Sequence, residues 1–205
     1  LTQVVATYLI GLYLGQAVGT LSERQIEALY NEMLELPAKI EQILETVEPL
    51  RELTRSFADS SSVLFLGRHV GYPVALEGAL KLKELAYMHA EGFAGGELKH
   101  GPIALIDQGT PVIAIVPNTH DHGLDEKMLS NIQEVRARGA KVIAIAAEGI
   151  EIPGAAHVIR IPSAPQLLQP VLATVPLQVF AYEMAVTRGN DVDQPRNLAK
   201  SVTVE

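Results

Sequence analysis

Four short runs along the chain are mostly apolar and rich in β-branched residues: 63–66, 112–116, 142–146 and 157–161. Runs without polar alternation suit strands covered on both faces. Between and after them, apolar residues recur at helical spacing over 73–89, 124–138 and 166–188. Strands alternating with helices predict an α/β fold of three layers, α-β-α, around a mostly parallel sheet. Ligand sites in such sheets gather at the carboxyl ends of the strands.

The first sixty residues read differently. The apolar stretch 4–18 is interrupted by Thr7, Tyr8, Tyr13 and Gln16. It is shorter and more polar than the roughly 20 apolar residues a membrane span needs. With no basic leader and no small-residue cleavage site, it predicts a buried helix rather than a signal peptide. It opens on Leu1 in mid-pattern, which points to a piece of a longer chain. Ser22 and Gln25 have capping-box spacing, so a helix is expected from there to Pro37. A further amphipathic helix is predicted over 38–57, with Ile40, Ile43, Leu44, Val47, Leu50 and Leu53 on one side. Residues 58–62 read as a turn. The chain thus divides into a helical surface layer or connector (1–60), a main α/β unit (61–190) and a polar tail (191–205).

Composition narrows the function classes. The 205 residues carry 24 acidic against 16 basic side chains, a net charge of −8. An acidic chain without a basic face is a poor nucleic-acid binder, because such binding depends on neutralising phosphates. The absence of cysteine excludes disulfides, thiol nucleophiles and thiolate zinc sites, and fits a reducing cytoplasmic setting.

Candidate chemistry lies in the loops and on one helix face. The loop 67–73, with Gly67, Arg68 and Gly71, leads from a strand into a helix. It is either an anion site at a helix N-terminus or a turn that needs glycine, and it matches no nucleotide-binding fingerprint. Glu77, Lys81 and Glu84 fall at i, i+4 and i+7, with Met88 next along the stripe. That is either a solvated charged face or a carboxylate–ammonium–carboxylate cluster containing a general base. His100 sits in a glycine-rich stretch, and histidine is the residue type suited to acid–base work near neutral pH. His120 and His122 flank Asp121, a weak metal-ligand pattern. Ser60, Ser61 and Ser62 read as turn residues, since no nucleophile elbow surrounds them. In the tail, Lys200 has apolar neighbours at Leu198, Ala199 and Val202. A lysine in a dry pocket can act as a Schiff-base nucleophile, whereas most tail lysines are simply solvated.

Three segments go further: 75–84 (ALEGALKLKE), 96–102 (GELKHGP) and 193–205 (DQPRNLAKSVTVE). Together they closely resemble the glutamine–fructose-6-phosphate aminotransferase (isomerizing) family, the glucosamine-6-phosphate synthases. The resemblance covers essentially the whole chain, as the carboxy-terminal part of such an enzyme. It implies the sugar isomerase (SIS) fold, with 1–19 as the last helix of a first SIS subdomain, 20–60 as the connection and 61–190 as the second subdomain. The family's glutaminase domain and nearly all of its first SIS subdomain, with the phosphate-binding loop, lie outside this chain.

Residue by residue, the resemblance gives Lys200 the Schiff base with the open-chain ketose and Glu84 the proton transfer between C1 and C2. His100 takes ring opening across a dimer interface, and Glu77 and Lys81 join the same cluster. Ala199 lies where the tail backbone meets the substrate. Fructose 6-phosphate and glucosamine 6-phosphate are the implied ligands, in a cytoplasmic homodimer with neither metal nor organic cofactor and no membrane or nucleic-acid partner. The piece alone is expected to be inert. Rival readings are a SIS-type regulator that senses a sugar phosphate without turnover, and a deglycase-type SIS enzyme.

Overall fold

The computed structural model describes residues 1–118 and 122–197. Five strands form one all-parallel sheet: β1 (Ser62–Gly67), β2 (His89–Ala94), β3 (Pro111–Val116), β4 (Lys141–Ala147) and β5 (His157–Ile161). Their spatial order is β2-β1-β3-β4-β5. The four apolar runs are four of these strands, and helices cover both faces, as the missing alternation required. Val63, Phe65, Ile113, Ile115, Ile143 and Ile145 point into one core. Leu64, Leu66, Val112, Ala114, Val142 and Ala144 point into the other.

Edge strand β2 is the one the hydrophobic pattern misses. Its sequence HAEGFA has no apolar run, and its burial is patchy. The preceding helix, α5 (Gly71–Ala86), stops at Tyr87 in the left-handed region (φ 54°), so residues 87–89 are not helical as the spacing predicted.

On the first face α5 packs against α7 (Gln169–Thr187), the most extensive helix pair in the molecule. Gly78 makes this approach close: a Cβ there would lie 2.8 Å from Leu177 and 2.9 Å from Phe65. By length and composition α7 is the one helix among the described residues that could cross a membrane, but 67% of its apolar window is buried inside the protein. The second face is covered by α6 (His122–Arg136) and by short 3₁₀ turns at Leu98–His100 and Pro102–Leu105.

The amino-terminal helices correct three expectations. The helix expected over 38–57 is two: α3 (Leu36–Glu45) and α4 (Glu48–Phe57). Pro49 lies in the first turn of α4, where its ring excludes continuous helix with the carbonyl four residues earlier. These helices are more than a surface connector, since Leu36, Ile43, Leu50, Leu53 and Phe57 belong to the α5–α7 core. The capping box of α2 (Glu23–Leu34) forms as expected, with the Ser22 amide donating to Gln25 Oε1 at 2.9 Å. By contrast α1 (Thr2–Val18) is not a buried helix: only Leu12 and Gly15 are buried, and Ile10, Tyr13, Leu14 and Val18 are exposed. A helix apolar on all sides needs cover all round, and among the described residues the outer side of α1 has none.

Candidate functional site

α5 is built to hold its charged stripe at the surface of the fold. Val74, Ala75, Ala79, Leu82 and Ala86 turn to the core, which leaves Glu77, Lys81 and Glu84 on the opposite side. Lys81 Nζ lies 3.8 Å from Glu77 Oε1 and donates a hydrogen bond to Glu84 Oε2. The side chains are only 28% (Lys81), 29% (Glu84) and 39% (Glu77) exposed. The stripe is therefore a half-buried cluster, not a freely solvated face. Each such pair adds only about 0.3–0.5 kcal/mol to a helix, so the arrangement contributes little stability. It does orient one carboxylate through a shared ammonium.

Glu77 also lines a cleft of about 470 Å³, with Val4 and Tyr8 of α1, Pro73 of α5 and Pro170 and Thr174 of α7. Burial at this place pushes the Tyr8 hydroxyl pKa up. The cleft thus opens beside the amino-terminal ends of α5 and α7, and α5 starts just past the carboxyl end of β1, where parallel sheets place their sites.

The loop 67–73 resolves toward the turn reading. A Cβ on Gly67 would meet the Gly71 carbonyl oxygen at 2.1 Å, and one on Gly71 would meet the Ile115 carbonyl oxygen at 3.1 Å. The turn is closed by Gly71 N–H to Arg68 C=O, 2.8 Å. Arg68 does not serve the helix end: its Nε donates to Asn131 Oδ1 at 2.8 Å.

That contact belongs to a network that sequence reasoning missed. Asn131, buried in α6, donates from Nδ2 to Glu134 Oε2 at 3.4 Å, and Lys99 Nζ pairs with Glu134 Oε1 at 2.9 Å. Burial pushes the Glu134 carboxyl up, but the hydrogen bond and charge of Lys99, with help from Asn131 and Ser130, outweigh it and hold the group below its ordinary pKa. Residues 63 positions apart carry no local signal for this, and the burial of Asn131 is not legible in its helical pattern.

The network secures the stretch that carries His100. Leu98 is fully buried as its anchor, whereas the His100 side chain is 73% exposed with Nδ1 3.7 Å from Glu97 Oε2. Among the described residues His100 makes no hydrogen bond or ion pair with Glu77, Lys81 or Glu84. The structure thus joins those three and leaves His100 apart. Lys200 and Ala199 lie outside the described residues, as do His120 and Asp121, while His122 opens α6.

The described part of the tail runs to the carboxyl end of α5, the end away from the cleft. Asn190 Nδ2 donates to the Leu85 carbonyl at 3.3 Å, and the Arg196 amide donates to the Tyr87 hydroxyl at 2.7 Å.

A parallel sheet between helix layers places the chain by architecture among the three-layer α/β domains. Residues 56–188 match the SIS domain family, and the chain belongs to that family. More closely, it matches the C-terminal SIS part of glutamine–fructose-6-phosphate aminotransferases (isomerizing). It is 61% identical to the one from Streptomyces coelicolor over its whole length, covering 34% of that relative. It is 59% identical to the one from Mycobacterium tuberculosis, covering 33%. The chain thus spans about a third of the length of the curated relatives it matches. Among solved structures, the C-terminal domain of glucosamine-fructose-6-phosphate aminotransferase from Francisella tularensis superimposes with a TM-score of 0.88 at 38% identity, over 94% of this chain and 54% of that one. Glucosamine-6-phosphate deaminase from Thermotoga maritima gives 0.60 at 28% identity, over 94% and 53%.

Proposed function

We propose that this chain is the isomerase part of an enzyme that makes glucosamine 6-phosphate and glutamate from fructose 6-phosphate and glutamine. The observation that carries the reading is the half-buried Glu77–Lys81–Glu84 cluster beside a cleft, on the helix whose carboxyl end the tail reaches. The Lys200 amine adds to the C2 carbonyl of the open-chain ketose and loses water, giving an imine. Ammonia then replaces the lysine at C2, which frees the Lys200 amine and leaves an imine that acidifies the C1 hydrogen. Glu84, oriented by Lys81, takes that proton and returns it to C2, while Glu77 shares the charge of the ammonium. Lys200 is four positions beyond Arg196, and an extended chain covers at most about 14 Å over that span, a length that supports a role for the lysine beside α5. Ala199 then presents tail backbone to the sugar. His100, exposed on its own turn, is suited to serve the cleft of a second copy in a homodimer and to open the sugar ring there. The exposed side of α1 is suited to pack on the first SIS subdomain of the same longer chain, and a glutaminase domain would supply ammonia.

The likeness to a glucosamine-6-phosphate deaminase supports a second reading, release of ammonia from glucosamine 6-phosphate by the same imine chemistry. Assay of the full-length enzyme separates the two. The first reading predicts glucosamine 6-phosphate from fructose 6-phosphate plus glutamine, and none from the 205-residue piece alone. Net ammonia production from glucosamine 6-phosphate, without the synthetic reaction, would favour the second.

A further inference from the structure

We propose that Tyr87 is a positioning residue: it latches the incoming tail to the end of α5, one turn from Glu84. The inference rests on the reading above that α5 and the tail form one site. Its starting point is a backbone anomaly. α5 ends on Tyr87 with φ 54° and ψ 33°, a left-handed cap that glycine usually fills and that is costly for a bulky side chain. What the tyrosine supplies, and glycine could not, is a grip on Arg196 from two sides. Its hydroxyl accepts the Arg196 backbone N–H at 2.7 Å, and the Arg196 guanidinium stands over its ring at 4.1 Å from the centroid.

Two further contacts aim the tail at this grip. Asn190 donates to the Leu85 carbonyl, one of those left open at the helix end. The Asp191 carboxylate accepts from the amides of Asp193 at 2.9 Å and Gln194 at 3.1 Å, turning the chain back toward α5. The segment after α7 is therefore held at Leu85 and Tyr87, directly after Glu84 in sequence. Arg196 is exposed, so the grip adds little to the stability of the core. Its effect is to fix where and in which direction the chain leaves toward Lys200.

The test uses the full-length enzyme and Tyr87→Gly, which relieves the left-handed strain while removing the grip. A merely structural residue would lose melting temperature on this change; a latch would not. The expected result is an unchanged or higher melting temperature and a KM for fructose 6-phosphate within about twofold, with kcat lower by about tenfold, the scale of one hydrogen bond and one cation–ring contact. Trypsin cleavage after Arg196 should accelerate by about the same factor. Tyr87→Phe, which keeps the ring, should fall between, and Arg196→Lys should lose less kcat than Arg196→Ala. An active enzyme in which Tyr87→Gly keeps wild-type kcat and trypsin resistance overturns the inference alone. Failure of the underlying reading shows earlier, as an unsubstituted enzyme that makes no glucosamine 6-phosphate, and it takes the positioning role with it.

Discussion

Lys81 stands between two carboxylates, and that geometry separates a half-buried cluster from a freely solvated face. Helical spacing alone put Glu77, Lys81 and Glu84 on one stripe, and the structure adds what spacing could not give: about 30% exposure for Lys81 and Glu84, and an ammonium that contacts both partners. Glu84→Gln in the full-length enzyme replaces the carboxylate with an amide of nearly the same shape that cannot accept the C1 proton. Binding of fructose 6-phosphate should persist, while exchange of the C1 hydrogen with deuterated water falls roughly 100-fold or more, the ordinary contribution of a positioned acid–base group. Wild-type exchange in this variant would remove Glu84 from proton transfer. Arg68 shows the converse limit. Its charge beside a helix start suggested an anion site, but its partner is a buried asparagine on α6, and no local pattern announces such a distant contact.

At the scale of elements, the sheet was legible wherever strands are buried on both faces and illegible at its edge. Continuous apolar runs exposed β1, β3, β4 and β5, whereas β2 contains His89, Glu91 and Gly92 and reads as loop. The break between α3 and α4 was missed because apolar spacing continues through it, although Pro49 marks it. The turn bearing His100 depends on the Lys99–Glu134 link. The Glu134 pKa is lowered in the folded protein, so its stabilising contribution is complete above the ordinary value of 4.5 and is lost as pH falls below it. Glu134→Gln should therefore lower the melting temperature at neutral pH and flatten its decline through that acidic range. A decline as steep as in the unsubstituted protein would show that Glu134 does not report on the fold.

For the molecule as a whole, the fold brings distant segments against α5. α5 carries the cluster on its outer side while its inner side is locked to Phe65 and Leu177 through Gly78. α7 then carries the chain past the sheet, and the tail returns to the end of α5. The apolar outer side of α1 and the chain's third of its relatives' length fit a unit that works within a larger enzyme. The two-layer core and parallel sheet could be read from sequence because they follow from local hydrophobic pattern. The exposure of α1 could not, since periodicity reports that a helix is apolar and not which neighbour covers it. The meeting of tail and α5 depends on contacts across more than 100 residues, and only resemblance to known proteins pointed there.

The central claim is that this tail delivers a lysine to the sugar carbonyl. Borohydride reduction of the full-length enzyme with fructose 6-phosphate, followed by mass spectrometry of the tail peptide, tests it directly. The account predicts a stable secondary-amine adduct on Lys200 that disappears in Lys200→Arg, because a guanidinium stays protonated and does not add to a carbonyl. An adduct on Lys81, Lys83 or Lys99 with Lys200 unmodified would contradict it.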